Sequence, residues 1–314
     1  MKNRTIGHEA RTHRWGYIFI APFVIAFFIF NFWPIITTFI LSFQHIRSRN
    51  PVFEYVGFAN FSRLVKDEYF WGALKNTFII WGFNFTPQLG VALVLSIWLS
   101  DAQINLAGKG LFRAVVYMPN LLTAASVAFL FRSLFGYDQG NLNAPIHQFL
   151  RFFEVPPVDY FRSATFSRGL VAFIQWWMWY GHTLILLMAG ITSIPTSLFE
   201  SATVDGANSR QTAWYITLPL LRPIMLFILV TSMIGGMQMF DIPFLLTNRI
   251  GAPDGAIRTT VMYQYNMSFM GANDLSYGAA VSIGVFIVTI ILATIIFFFL
   301  QDRSELQKKK GGAR

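Results

Sequence analysis

Apolar residues collect along this chain in long blocks, not at the alternating spacing of a half-buried strand. A helix needs about 20 apolar residues to cross the hydrocarbon core of a bilayer. Six blocks meet that length, roughly 17–43, 77–99, 112–135, 170–191, 224–246 and 277–300. The pattern predicts an all-α integral membrane protein with six transmembrane helices. Pro34, Pro87 and Pro243 fall inside spans, where neighbouring helices can satisfy the backbone groups a kink frees. Gly278, Ala279, Ala280, Ser282 and Gly284 give the last span a face of small residues suited to close packing. The first block exceeds the core of a signal peptide, and no small-x-small cleavage site follows it, so it reads as a retained helix. No linker separates a second domain. The expected layout is a cytoplasmic segment 1–14, a six-helix domain 15–300 and a basic cytoplasmic tail 301–314.

Composition supports the class. Of 314 residues, 54% are hydrophobic and 12% charged, against about 25% charged in soluble domains. The net charge of +9 does not point to nucleic acid, because basic residues lie at the termini and in short loops with no aromatic-basic patch. Basic residues mark cytoplasmic segments. Arg11 and Arg14 before the first span and Lys308-Lys309-Lys310 after the last place both termini inside. There is no cysteine, which excludes a disulfide framework or a thiolate site. The outside loops, about 44–76, 136–168 and 247–276, exceed simple turns. Phe149, Leu150, Phe152 and Phe153 form an amphipathic stretch within them, suited to the membrane surface or to a docked partner.

This orientation leaves a polar island, 200–223, in the cytoplasm. Thr196 or Ser197 is expected to cap a helix beginning near Leu198, with Glu200 near its positive end. Asp205-Gly206 is a turn signal, and Asp205 can cap the next segment. A second short helix over 209–217 carries Trp214 and Tyr215, and Pro219 and Pro223 fix the approach to the next span. Any intracellular loop could use such residues singly. The order Glu200, Ala202, Asp205, Gly206, Ala207, Ile216, Leu218, Pro219 resembles, as a whole, the cytoplasmic EAA loop of ATP-binding-cassette importer permeases. Ser201 stands where that family usually has Ala. The resemblance implies the type I importer fold, with a coupling loop at about 196–223. Glu200, Ala202, Asp205, Gly206, Ala207, Leu218 and Pro219 are its implied contacts to an ATPase subunit.

Looser stretches are similar to permeases for sugars and oligosaccharides, including the larger subunit of the maltose importer. These are Asn76-Thr77, Phe112-Arg113, Tyr117-Met118-Pro119, Phe240-Asp241 and Leu246-Thr247. The run from Asn248 to Pro253 departs from the usual Gly-Gly-Pro turn. The resemblance implies substrate-binding positions on the helices flanking the loop: Gln175, Met178, Trp179 and His182 before it, and Thr231, Gly235 and Gln238, with Ile234, after it. Each set has the spacing of one helix face, and at 1.5 Å per residue both lie roughly 7–20 Å into the membrane. The amides of Gln175 and Gln238 and the imidazole of His182 can donate and accept, and Trp179 can stack on a pyranose ring. Trp176, Trp177 and Tyr180 also fit an aromatic belt, His182 and Gln238 fit bridges between helices, and Asp241 fits an interfacial or ion-paired site.

The chain carries no phosphate-binding loop of the G-x-x-x-x-G-K-[ST] form, so it is expected not to be an enzyme. It needs no cofactor of its own. The resemblance implies a second homologous permease, two ATPase subunits holding ATP and Mg, an extracytoplasmic solute-binding protein, a sugar substrate and the cell membrane of a prokaryote. Glycerol phosphate or another small polar solute is the alternative cargo. A stand-alone secondary transporter or channel is a further alternative, and it would need ion-coupling carboxylates inside the spans.

Overall fold

The computed structural model describes residues 16–46, 53–100, 108–136, 145–154, 159–247, 251–271 and 273–300. Arg11, Arg14, Lys308 to Lys310, the segments 1–14 and 301–314, Asn248 to Ile250 and the side chain of Leu150 lie outside the described set. Among the described residues, five helices are long and apolar enough to cross a membrane, or six if one bent pair forms a single span.

The chain opens with α1 (Gly16–Ser42). A π-turn at Phe28–Phe32 interrupts it just before Pro34, where the ring removes a helical donor. A short antiparallel hairpin comes next, β1 (Gln44–Ile46) with β2 (Phe53–Tyr55), in the register His45 to Glu54. It leads to α2 (Ala59–Lys66) and α3 (Glu68–Ser100). The latter starts nine residues before its expected apolar limit.

The third expected span is not one rod. Helix α4 (Lys109–Tyr117) tightens into a 3-10 turn at Met118–Leu121, and α5 (Ala124–Phe135) leaves at 87° to it. Pro119 cannot supply a helical N–H, and Thr123 starts a new helix by accepting the Ser126 N–H on its hydroxyl at 3.3 Å. After α6 (Pro145–Arg151) comes α7 (Ala164–Thr192), then the short α8 (Thr196–Val204) and α9 (Ser209–Thr212). A π segment at Ala213–Thr217 and α10 (Leu218–Leu220) lead into α11 (Arg222–Met237), α12 (Asp241–Leu246), α13 (Thr260–Phe269) and α14 (Leu275–Leu300).

The chain divides into two compact units, 1–67 with 264–284 and 68–263 with 285–314. In the first, Asn60 Nδ2 ties the end of α1 to the hairpin by donating to Ser42 O and Gln44 O, each at 2.9 Å. Arg63 pairs with Asp274 at 2.9 Å and lies 3.8 Å over the Tyr277 ring. The Tyr277 hydroxyl donates to Asp67. Most of α1 is exposed, as a helix solvated by lipid should be.

In the second unit α3 and α7 pack along their lengths. Ile80, Val171 and Ile174 anchor one core and Ala92, Leu187, Leu221 and Ile228 another. Trp177 packs on Phe131 at 6.0 Å and, half-buried, against the core that holds Ile80. A polar clasp closes one end. Arg168 donates from Nη2 to Asn76 Oδ1 at 2.8 Å and from Nε to Ala256 O at 3.0 Å. Asn76 Nδ2 donates to Gly255 O at 2.9 Å and, at 3.4 Å, to Arg258 O.

Candidate functional site

Helix α11 breaks after Met237, and the break is chemically prepared. The Thr259 hydroxyl donates to Met239 O at 2.6 Å and the Thr260 hydroxyl to Met237 O at 3.3 Å. These bonds satisfy carbonyls that a continuous helix would pair internally. The break and the helices beside it enclose a cavity of about 440 Å³.

Helix α7 brings Gln175, Met178, Trp179 and His182 to its wall, and α11 with its break brings Thr231, Gly235 and Gln238. Both residue sets named from the sequence therefore stand around one space. Ile234 does not; it packs with Leu74 and Met233. Trp179 is partly exposed, with its ring edge-on to His182 at 6.0 Å. The side chains of His182 and Gln238 make no hydrogen bond among the described residues, so neither forms the bridge between helices that was an alternative for them. The Thr231 hydroxyl donates to Phe227 O at 2.7 Å, which leaves it only acceptor capacity toward a solute.

The structure adds groups that the sequence pattern does not single out. Helix α3 supplies a third wall with Asn84 and Gln88, and Gln88 Nε2 donates to Thr183 Oγ1 at 2.7 Å. Trp81 Nε1 donates to Ser232 Oγ at 3.2 Å, holding α3 to α11 beside the cavity. A Cβ at Gly236 would collide with the Trp81 ring, so glycine permits this approach. The Asp241 carboxylate lines the cavity, exposed and without an ion-pair partner among the described residues. No Lys or Arg among those residues lines it. The wall is thus amide, hydroxyl, imidazole and indole with one carboxylate, a set that can bind hydroxyl groups and disfavours anions.

Between α7 and α11 lies the segment that carries Glu200 to Pro219. Asp205 ends α8 and Gly206 takes φ +75°. The Gly206 N–H donates to Thr203 O at 3.1 Å and the Ala207 N–H to Ala202 O at 2.9 Å. This is the Schellman pattern, which needs a left-handed residue at that point and so favours glycine. Ala202 is buried at 7% exposure. Glu200, Asp205, Gly206 and Pro219 are exposed, and Ala207 and Leu218 are half-buried.

The expected caps differ. Helix α8 begins after Pro195 with no side-chain cap, and Glu200 lies beyond its first turn; the preset φ of Pro195 starts the helix without Thr196 or Ser197. Asn208, not Asp205, caps α9. Its Oδ1 accepts the Gln211 N–H at 2.9 Å while Gln211 Oε1 accepts the Asn208 N–H at 2.8 Å, a reciprocal capping box. Val204 and Tyr215 stand out at 88% and 80% exposure, with Trp214 also exposed.

A family model described as "Binding-protein-dependent transport system inner membrane component" matches residues 92–306. The chain belongs to that family of permeases. The lactose transport system permease protein LacF of Rhizobium radiobacter is 28% identical over 288 residues, covering 92% of this chain and 94% of the relative. The arabinooligosaccharides transport system permease protein AraP of Bacillus subtilis (strain 168) is 31% identical over 279 residues, covering 89% and 86%. The permease also shares its fold with a chain of a bacterial alginate ABC transporter, solved in complex with alginate pentasaccharide-bound periplasmic protein. The TM-score is 0.77 at 22% identity, covering 94% of this permease and 96% of that chain.

Proposed function

We propose that this permease is one half of the translocation path of an ATP-driven, binding-protein-dependent importer for an uncharged sugar or oligosaccharide. One observation carries the reading: α7 leaves the cavity, the loop of α8 to α10 comes next, and α11 returns to the same cavity. His182 lies ten residues before the end of α7 and Thr231 nine residues after the start of α11. The loop therefore stands about 15 Å from the cavity walls, measured along either helix. A partner that grips the loop moves both walls together.

On this reading the loop faces the cytoplasm, as do both termini. The exposed Val204, Trp214 and Tyr215 suit a hydrophobic partner surface, here one of two ATPase subunits that bind ATP and Mg. Alternating access needs two facing halves, so a second, homologous permease completes the path and a soluble binding protein delivers solute outside. The cargo is a saccharide because the wall offers amides, hydroxyls and an indole. Relatives named for lactose and arabinooligosaccharides support it, while another, 29% identical, is named for sn-glycerol-3-phosphate. Glycerol phosphate, the competing cargo, would meet the Asp241 carboxylate and no guanidinium or ammonium among the described wall residues.

The test is uptake into proteoliposomes holding the complete complex, with ATP at the ATPase side. ATP-dependent accumulation of a neutral saccharide is expected. Uptake of glycerol 3-phosphate alone would overturn the cargo, and uptake driven by an ion gradient without ATP would overturn the importer class.

A further inference from the structure

We infer that Asn84, at the middle of α3, contacts the solute directly, its side-chain amide binding a hydroxyl of the carried saccharide. This rests on the reading of the cavity as a saccharide path and adds a wall to it. Asn84 is the seventeenth of the 33 residues of α3, about 24 Å along a helix of about 50 Å. A polar group at that depth is costly and calls for a partner or a function.

Asn84 is 6% exposed, yet it lines the cavity. Its Oδ1 is buried and accepts no hydrogen bond. Buried polar groups are rarely left so. Along the same helix Asn76, Thr77 and Gln88 all have partners, and besides Asn84 only Ser100, at the last position, has a buried side-chain atom without one among the described residues. The neighbours of Asn84 are held in place, since the Trp81 and Phe85 rings stack at 5.4 Å and Trp81 is bound to Ser232.

The unmet demand therefore points to something that enters the cavity. A carboxamide is uncharged and carries a donor at one end and an acceptor at the other, which a half-turn of χ2 exchanges. A hydroxyl is the group that matches either end. Gln88, one turn further on, continues the strip. One of its N–H groups is committed to Thr183, which leaves the second N–H as a donor and its oxygen as an acceptor.

The experiment compares wild-type, Asn84→Leu and Asn84→Ser permease in the complete reconstituted complex. It measures uptake of radiolabelled lactose, maltose and their singly deoxygenated analogues. Asn84→Leu keeps the branched heavy-atom skeleton and removes the amide; it is expected to raise KM at least fivefold at unchanged kcat. For one deoxy analogue, the hydroxyl-deletion penalty seen in wild type should vanish in the variant, a pattern that a merely structural role would not produce. A KM within twofold of wild type for every sugar would overturn the inference. If Asn84→Leu does not assemble, Asn84→Ser carries the same expectation, and wild-type KM values for it would overturn the inference equally. If the wild-type complex accumulates glycerol 3-phosphate and neither sugar, the saccharide reading itself fails and the inference falls with it. That failure shows in the wild type and so is distinct from a failure of Asn84 alone.

Discussion

Replacing Asn76 with Leu should destabilise the second unit by about 3 kcal/mol, because three bonds converge on one buried amide. Its oxygen accepts from the Arg168 guanidinium at 2.8 Å, and its nitrogen donates to Gly255 O at 2.9 Å and more weakly to Arg258 O at 3.4 Å. Asn76 is 7% exposed, so water does not replace these partners. A hydrogen bond to a charged group contributes roughly 1.5–3 kcal/mol and a neutral one about 1 kcal/mol; the weaker Arg258 contact adds little. Asn76→Asp keeps an acceptor for Arg168 but loses the donor to Gly255 O, so its loss should be smaller, about 1 kcal/mol. Combining Asn76→Leu with Arg168→Met should give a coupling energy of about 2 kcal/mol, within the range for contacting residues. The assay is reversible SDS titration in mixed micelles, followed by far-UV circular dichroism. Asn76→Leu within about 0.5 kcal/mol of wild type, the level of an ordinary surface change, would refute the clasp.

Two further substitutions probe the loop and the cavity. Gly206→Val meets no atom within 4 Å but must hold φ +75°, which costs a side chain about 1–2 kcal/mol. Hydrogen exchange at the Gly206 and Ala207 amides should speed up roughly tenfold as α8 frays, and Gly206→Asn, which tolerates that region, should change less. Asp241→Asn should narrow the preference for neutral over uronic-acid-containing saccharides by roughly fivefold, the size of a like-charge term of about 1 kcal/mol at about 4 Å in water. Uptake competition measures it, and an unchanged ratio would remove Asp241 from the selectivity.

The sequence made the spans legible because bilayer thickness demands an unbroken apolar run. The first, fifth and last blocks match candidate spans to within about two residues, while α3 begins nine and α7 six residues before the expected limits. The exception, 112–135, is apolar enough overall to read as one span despite Arg113 and Arg132, and hydropathy does not register a change of direction. Pro119 followed by Thr123 and Ser126 was the local signal for the break, since one removes a donor and the others restart a helix. Gly206 was readable as a turn because only a left-handed residue closes α8. The Asn208–Gln211 capping box is an equally local signal, yet Asp205 three residues earlier competes with it as a cap in the sequence alone.

The seven wall residues on α7 and α11 could be named from family spacing. Asn84 and Gln88 could not, although two amides one turn apart in an apolar span were a sign. What no pattern carried was the long-range polar pairing. Arg168 and Asn76 stand 92 positions apart, and the Thr259 hydroxyl reaches Met239 O only because α11 breaks. Those contacts depend on the packed arrangement of helices, which local spacing does not encode.

The most direct test of the account is binding-protein-stimulated ATP hydrolysis by the reconstituted complex, comparing wild type with the double variant Asp205→Arg, Gly206→Val. The account predicts that stimulation is lost and that the ATPase subunits no longer copurify, while the solute-binding protein still binds its sugar. Full stimulation and intact assembly in the double variant would contradict the coupling role of the loop.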